Sequence, residues 1–147
     1  MMDTRSALDV ASEYLAGLSE RDADRMDAVR SEGFYLDFIH GDAFENHPLS
    51  QEDTRMFWPN WFVAFPELDI EVTRTIAAEE VVVVQWSFTG TNSGPLQRIL
   101  GKERIEPTGN TVRLRGVTFL DIMDGLIRRE TTYIDIATLM VELGVQP

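Results

Sequence analysis

The longest regular alternation of apolar and polar residues runs from Asn110 to Asp135, NTVRLRGVTFLDIMDGLIRRETTYID. It predicts two long strands joined by a tight turn at Met123-Asp124-Gly125, because Asp-Gly between β-rich runs supplies the positive φ a right-twisting hairpin needs. A period of two puts Leu114, Gly116, Thr118 and Leu120 on one face and Arg113, Arg115, Val117, Phe119 and Asp121 on the other. On the returning strand Glu130, Thr132 and Ile134 share a face.

Helical spacing dominates the N-terminal third. Leu8, Ala11, Leu15 and Leu18, with Tyr14 beside them, predict a helix over residues 5–19. A second is predicted from Asp22 to Arg30, with Gly33 ending the helical hairpin. Phe34–Ile39 reads as a short strand, and the stretch from His40 to Leu49 as a loop. Ser50 followed by Asp53 is an N-cap with an acid three residues on, so a third helix starts there. That helix carries Phe57, Trp58, Trp61, Phe62 and Phe65, tolerates Pro59 near its first turns and stops at Pro66. Glu67–Ala78 and Val81–Thr89 read as strands. VVVV is apolar on both faces, which suggests cover on both sides. A loop leads to Pro107-Thr108-Gly109, and after the hairpin Asp135 precedes a short helix, IATLMVELG, closed by Gly144. Helices, then strands, then a last helix give an α+β class: a curved antiparallel sheet forming a cone, with N-terminal helices and a third helix over the pocket.

Composition narrows the function. A chain of 147 residues is expected to form a single domain over residues 1–147. No apolar run reaches the length of a membrane span, and MMDTRSALDV lacks the apolar core of a signal peptide, so a cytoplasmic location is the expectation. The absence of cysteine removes disulfides, thiolate-bound zinc and thiol catalysis, and two histidines leave little for a metal site, so none is expected. A net charge of -12 opposes phosphate backbones and anionic lipid, so neither nucleic acid nor membrane is an expected partner.

The helical hairpin, the short strand ending near His40, FPELDIEV, WSFTGTNSGPL, PTGNTVRLRGV, DGLI and YIDIATLMVELG together resemble the SnoaL-like polyketide cyclase family. That family belongs to the nuclear-transport-factor-like cone superfamily, with ketosteroid isomerases and limonene-epoxide hydrolases. The resemblance spans nearly the whole chain. It implies a cone enclosing an apolar pocket, acid/base chemistry without a cofactor, and a homodimer. The family's catalytic His and Asp on the central hairpin fall on Thr118 and Thr132 here. The isomerase oxyanion-hole Asp also falls on Thr118, and the epoxide hydrolase Asp on Thr132. Tyr14 takes the place of the isomerase oxyanion tyrosine. Asp37 or His40, depending on where a gap is set, takes that of its general base.

Each candidate has a plain structural reading beside the chemical one. Asp37 is a desolvated general base in an apolar cone, or a carboxylate on the other face of its strand. His40 is a proton shuttle or a hydrogen-bonded strand terminus. Glu130 is the deepest acid if its face lines the cone, and a solvated partner of Arg113 or Arg115 if the face is reversed. Tyr14 is an O–H donor to an enolate oxygen or a packing residue. Asp135 is expected to cap the last helix. Trp58, Trp61, Phe62, Phe65, Trp86 and Phe88, with Leu114, Thr118, Thr132 and Ile134, are the expected pocket lining. The expectation is a protein that binds a small, largely apolar carbonyl-bearing molecule of polyketide- or steroid-like shape and isomerises or cyclises it. The alternatives are binding without chemistry, or a dimeric interaction module.

Overall fold

The computed structural model describes residues 6–39, 48–99 and 102–145. Their elements run α1 (Ala7–Ser19), α2 (Ala23–Asp27), β1 (Arg30–Ile39), α3 (Gln51–Ala64), β2 (Asp69–Ala77), β3 (Val81–Thr91), β4 (Leu96–Ile99), β5 (Lys102–Ile105), β6 (Thr111–Met123), β7 (Leu126–Ile134) and α4 (Ile136–Leu143). Five strands form one curved sheet in the order β1-β7-β6-β3-β2, and β4 and β5 pair as a separate two-stranded ribbon.

The β6–β7 hairpin forms as the alternation predicts. Asp124 and Gly125 have φ of 54° and 76°, the left-handed pair that a two-residue hairpin turn requires. Register shifts in the β1–β7, β2–β3 and β6–β7 pairings mark irregularities of the kind that bend a sheet. Side chains of the concave face stand in cross-strand rows. One row is Val82, Leu120, Glu130 and Leu36; the next is Val84, Thr118, Thr132 and Phe38. Helix α3 lies over this face. Trp58 meets Trp86 edge to face at 6.4 Å, and Trp61 meets Phe88 at 5.6 Å while stacking on Phe65 at the same distance.

Several local expectations give way. α2 ends at Asp27 rather than Arg30, and Gly33 lies inside β1 instead of closing a helical hairpin. Backbone pairing to β7 takes over there, with Ile127 N–H donating to the Val29 carbonyl at 2.8 Å. β1 runs parallel to β7, whereas the other pairs in the sheet are antiparallel. The stripe on α1 is rotated: Val10, Ala11, Tyr14 and Leu18 are buried and Leu8 is exposed. The loop before Pro107 holds the β4–β5 ribbon. The caps hold as read: Ser50 Oγ accepts from Asp53 N–H, Asp135 Oδ1 accepts from Thr138 N–H, and Gly144 closes α4 at φ 73°. Among the described residues no helix is long and apolar enough to cross a membrane.

Candidate functional site

The concave face is apolar except at Glu130 and the neighbouring Thr118 and Thr132. Glu130 sits in mid-strand with no exposed surface, flanked in register by Leu36 and Leu120. A carboxylate taken out of water requires donors around it. Three supply them. Tyr14 O–H, from α1, donates to Oε1 at 2.5 Å. Trp58 Nε1–H, from α3, reaches Oε1 at 3.2 Å and Oε2 at 3.1 Å. Thr132 O–H, two residues along β7, donates to Oε2 at 2.5 Å.

The direction of the protons behind these contacts follows from counting them. A hydroxyl has one proton to give. Thr132 spends its own on Glu130, so the 2.9 Å contact between Thr118 and Thr132 has Thr118 as donor. Trp86 Nε1–H then donates to Thr118 Oγ1 at 3.0 Å. On the other side, Arg30 Nη2 donates to the Tyr14 oxygen at 2.7 Å, so the Tyr14 proton points at Glu130. Two chains, Trp86–Thr118–Thr132 and Arg30–Tyr14, converge on one carboxylate. Such chains polarise each successive bond in a low-dielectric interior.

Arg30 is the counter-charge. Its side chain is 8% exposed, Nη1 pairs with Asp27 at 2.9 Å, and the guanidinium lies over the Phe34 ring at 4.4 Å. Burial works against its charge, while Tyr14 and Glu130 favour it, and its ionisation is held above the ordinary arginine value. Tyr14 is pushed well above its ordinary value by burial first and by the Glu130 charge second, with Arg30 opposing. It therefore remains a phenol, a donor, across the physiological range. Arg30 also lines a surface cleft of about 290 Å³ with Asp27, Glu32, Phe34, Gln51, Thr54 and Arg55, so one side chain touches both the cleft and the buried cluster. Among the described residues no three His, Asp or Glu side chains converge as metal ligands.

Glu130, Tyr14, Thr118 and Thr132 are thus brought together, with Trp58 as a direct donor to the acid. Asp37 is not among them. Phe34, Leu36 and Phe38 turn inward, so alternation puts Asp37 on the convex face, in a row with Thr131, Phe119, Val83 and Ile76. Its Oδ1 is buried there without a hydrogen-bond partner among the described residues. His40 lies outside the described residues. Trp61, Phe65, Trp86, Phe88, Leu114 and Ile134 are buried in the apolar core, and Phe62 is only half-buried at its edge. Arg30 was not legible beforehand, because the helical reading carried α2 through it and hid the strand start that points it at Tyr14. The signal for Glu130 was its shared face with Thr132 and Ile134.

The model of the SnoaL-like polyketide cyclase family matches residues 8–143. No curated protein matches the chain. Among solved structures, AclR from Streptomyces galilaeus is 24% identical, with a TM-score of 0.77 over 95% of this chain and 85% of that one. A SnoaL-like protein from Jannaschia sp. CCS1 is 23% identical, with a TM-score of 0.75 over 99% of both chains. IdmH from Streptomyces antibioticus, described as a candidate polyketide cyclase, is 20% identical, with a TM-score of 0.72 over 94% of this chain and 98% of that one. These likenesses establish the fold, and the family match over nearly the full length establishes the relationship: the chain belongs to the SnoaL-like polyketide cyclase family.

Proposed function

We propose that this protein takes a small, largely apolar carbonyl compound against the concave face and cyclises or isomerises it by proton transfer at Glu130. The observation that carries this reading is a fully buried carboxylate supplied only with donors, in a wall that apart from Thr118 and Thr132 is built of rings and aliphatic side chains. Burying a carboxyl group in such a wall costs desolvation that its donors only offset, so it is poorly explained by stability alone. In the reading, Glu130 removes the proton from a carbon next to the carbonyl, and the Tyr14 O–H, freed from Glu130, donates to the developing enolate oxygen. Returning the proton to another carbon gives isomerisation. Attack of the enolate carbon on a second carbonyl, with a proton passed to the new alkoxide, gives cyclisation. Arg30 would supply positive charge behind the Tyr14 oxygen.

Access would come from the cleft at Arg30 and Arg55, where α3 meets β1. Pro59 lacks the N–H that would bond the Arg55 carbonyl, which weakens α3 beside that cleft. The test is solvent deuterium uptake at the acidic carbon of a bound cyclic diketone, followed by NMR. Glu130→Gln and Tyr14→Phe are each expected to slow exchange by about 10²–10⁴-fold, the usual worth of a positioned acid or base. Asp37→Asn is expected to leave it unchanged. Exchange in Glu130→Gln at the wild-type rate would remove the catalytic role.

The Thr118–Thr132 pair supports the second reading, a pocket that binds without chemistry, because both positions that carry acid/base groups in relatives are hydroxyls bonded to each other at 2.9 Å. Binding of the diketone with no exchange above the solvent rate would favour it. A homodimer through the convex face is proposed as well, on the exposure of Ile76, Phe119 and Tyr133 there. Phe119→Glu is expected to shift a dimer to monomer in sedimentation, and a wild-type monomer at micromolar concentration would refute it.

A further inference from the structure

Among the described residues most buried polar side chains on the concave face find partners, but two nitrogens do not. Both are donors: Trp61 Nε1 and Arg30 Nε. The contrast between the two tryptophans of α3 is informative. Trp58 and Trp61 are one helical turn apart, with ring centroids at 6.3 Å, and both are about 1% exposed. Trp58 spends its N–H on Glu130. Trp61 is ringed by Phe57, Phe65 and Phe88 and meets no acceptor among the described residues. A buried donor without an acceptor calls for an explanation, because phenylalanine would fill such an aromatic niche without the penalty of desolvating an N–H.

We infer that the Trp61 indole N–H is a recognition point for a ligand oxygen, so that the bound molecule carries a second hydrogen-bond acceptor besides the carbonyl handled by Tyr14 and Glu130. This rests on the reading of the concave face as a ligand site. The unpartnered Arg30 Nε has the same polarity, so among the described residues the concave side is short of acceptors; the unpartnered buried acceptor, Asp37 Oδ1, lies on the convex face. The ligand class that satisfies it is a flat ring compound bearing carbonyl or hydroxyl oxygens at separate edges. A hydrocarbon skeleton with a single ketone leaves Trp61 unpaired. Discrimination of this kind is steep, because the analogue lacking the oxygen leaves the buried donor orphaned.

The test uses 1,8-dihydroxyanthraquinone and anthracene as probes, titrated into wild-type protein and Trp61→Phe, with amide and indole N–H resonances followed by NMR. The wild type is expected to bind the quinone with a downfield move of the Trp61 indole resonance, identified by its loss in Trp61→Phe. The variant keeps a ring against Phe65 and is expected to bind the quinone about tenfold more weakly, the worth of one hydrogen bond. Both forms are expected to bind anthracene alike. Equal affinity of both forms for the quinone, or an unmoved Trp61 indole at saturation, overturns the inference and leaves the ligand site standing. If the variant does not fold, the Trp61 indole is assigned in the wild type by its through-space contacts to the Phe65 and Phe88 rings, and its shift on binding then decides. Failure of the wild type to bind either probe ends the ligand-site reading and this inference with it.

Discussion

Replacing Glu130 by glutamine tests whether the buried cluster is held by charge. The side chain keeps its shape, so packing against Leu36 and Leu120 is preserved. What changes is polarity. One carboxylate oxygen becomes an NH₂, and the Trp58 N–H, which spans both oxygens at 3.1 and 3.2 Å, then faces a donor. Arg30, at 8% exposure, loses the interior negative charge relayed through Tyr14 and, among the described residues, keeps Asp27 at the surface. Removing one partner of a buried charged pair costs about 3–5 kcal/mol. Arg30→Met removes the other end of the same chain, so the two losses overlap. The double variant is expected to be less destabilised than the sum of the singles by about 1–3 kcal/mol, the range for residues in one network. Urea unfolding followed by tryptophan fluorescence measures all four corners. Additivity within about 0.5 kcal/mol, or a Glu130→Gln protein within about 1 kcal/mol of wild type, refutes the coupling.

Other outcomes follow from single positions. A Cβ on Gly116 would come to 2.3 Å from Cζ2 of Trp86, so Gly116→Ala must push the indole off Thr118. Overpacking and the lost hydrogen bond together cost about 2–4 kcal/mol by urea unfolding, whereas Gly33→Ala, with nothing within 4 Å of its added Cβ, is expected to be near neutral. The raised ionisation of Tyr14 means the folded form keeps that proton longer than the unfolded one. Its contribution is therefore complete below the ordinary tyrosine value of 10.0 and drains as pH rises from there through the folded value. Tyr14→Phe is expected to flatten that alkaline decline in thermal unfolding, and an unchanged slope would count against it. Asp135 is held below the usual carboxylate range by the hydroxyl and N–H of Thr138, so its contribution is present above the unfolded value and lost as pH falls through the folded one. Asp135→Ala removes that cap and is expected to cost about 1 kcal/mol at neutral pH, with the cost shrinking as pH falls below the ordinary carboxylate value of 3.8.

Local rules carried much of this protein. Strand periodicity set both faces of the β6–β7 hairpin, Asp124-Gly125 set its turn, and Ser50, Asp135 and Gly144 marked helix ends, because each depends on residues a few positions apart. The shared face of Glu130 and Thr132 was equally legible. Which way that face pointed was not, nor which residues came to meet it. Tyr14 lies 116 positions from Glu130 and Trp58 lies 72, and only the docking of α1 and α3 over the sheet joins them. Asp37 failed as an interior base for the same reason. A strand offers two faces by alternation, and only the pairing of β1 beside β7 decided that Leu36 would meet Glu130 and Asp37 would turn away. Sequence distributed the chemistry along the chain, and the closing of helices over the concave face selected which of it is gathered in the dark of the core.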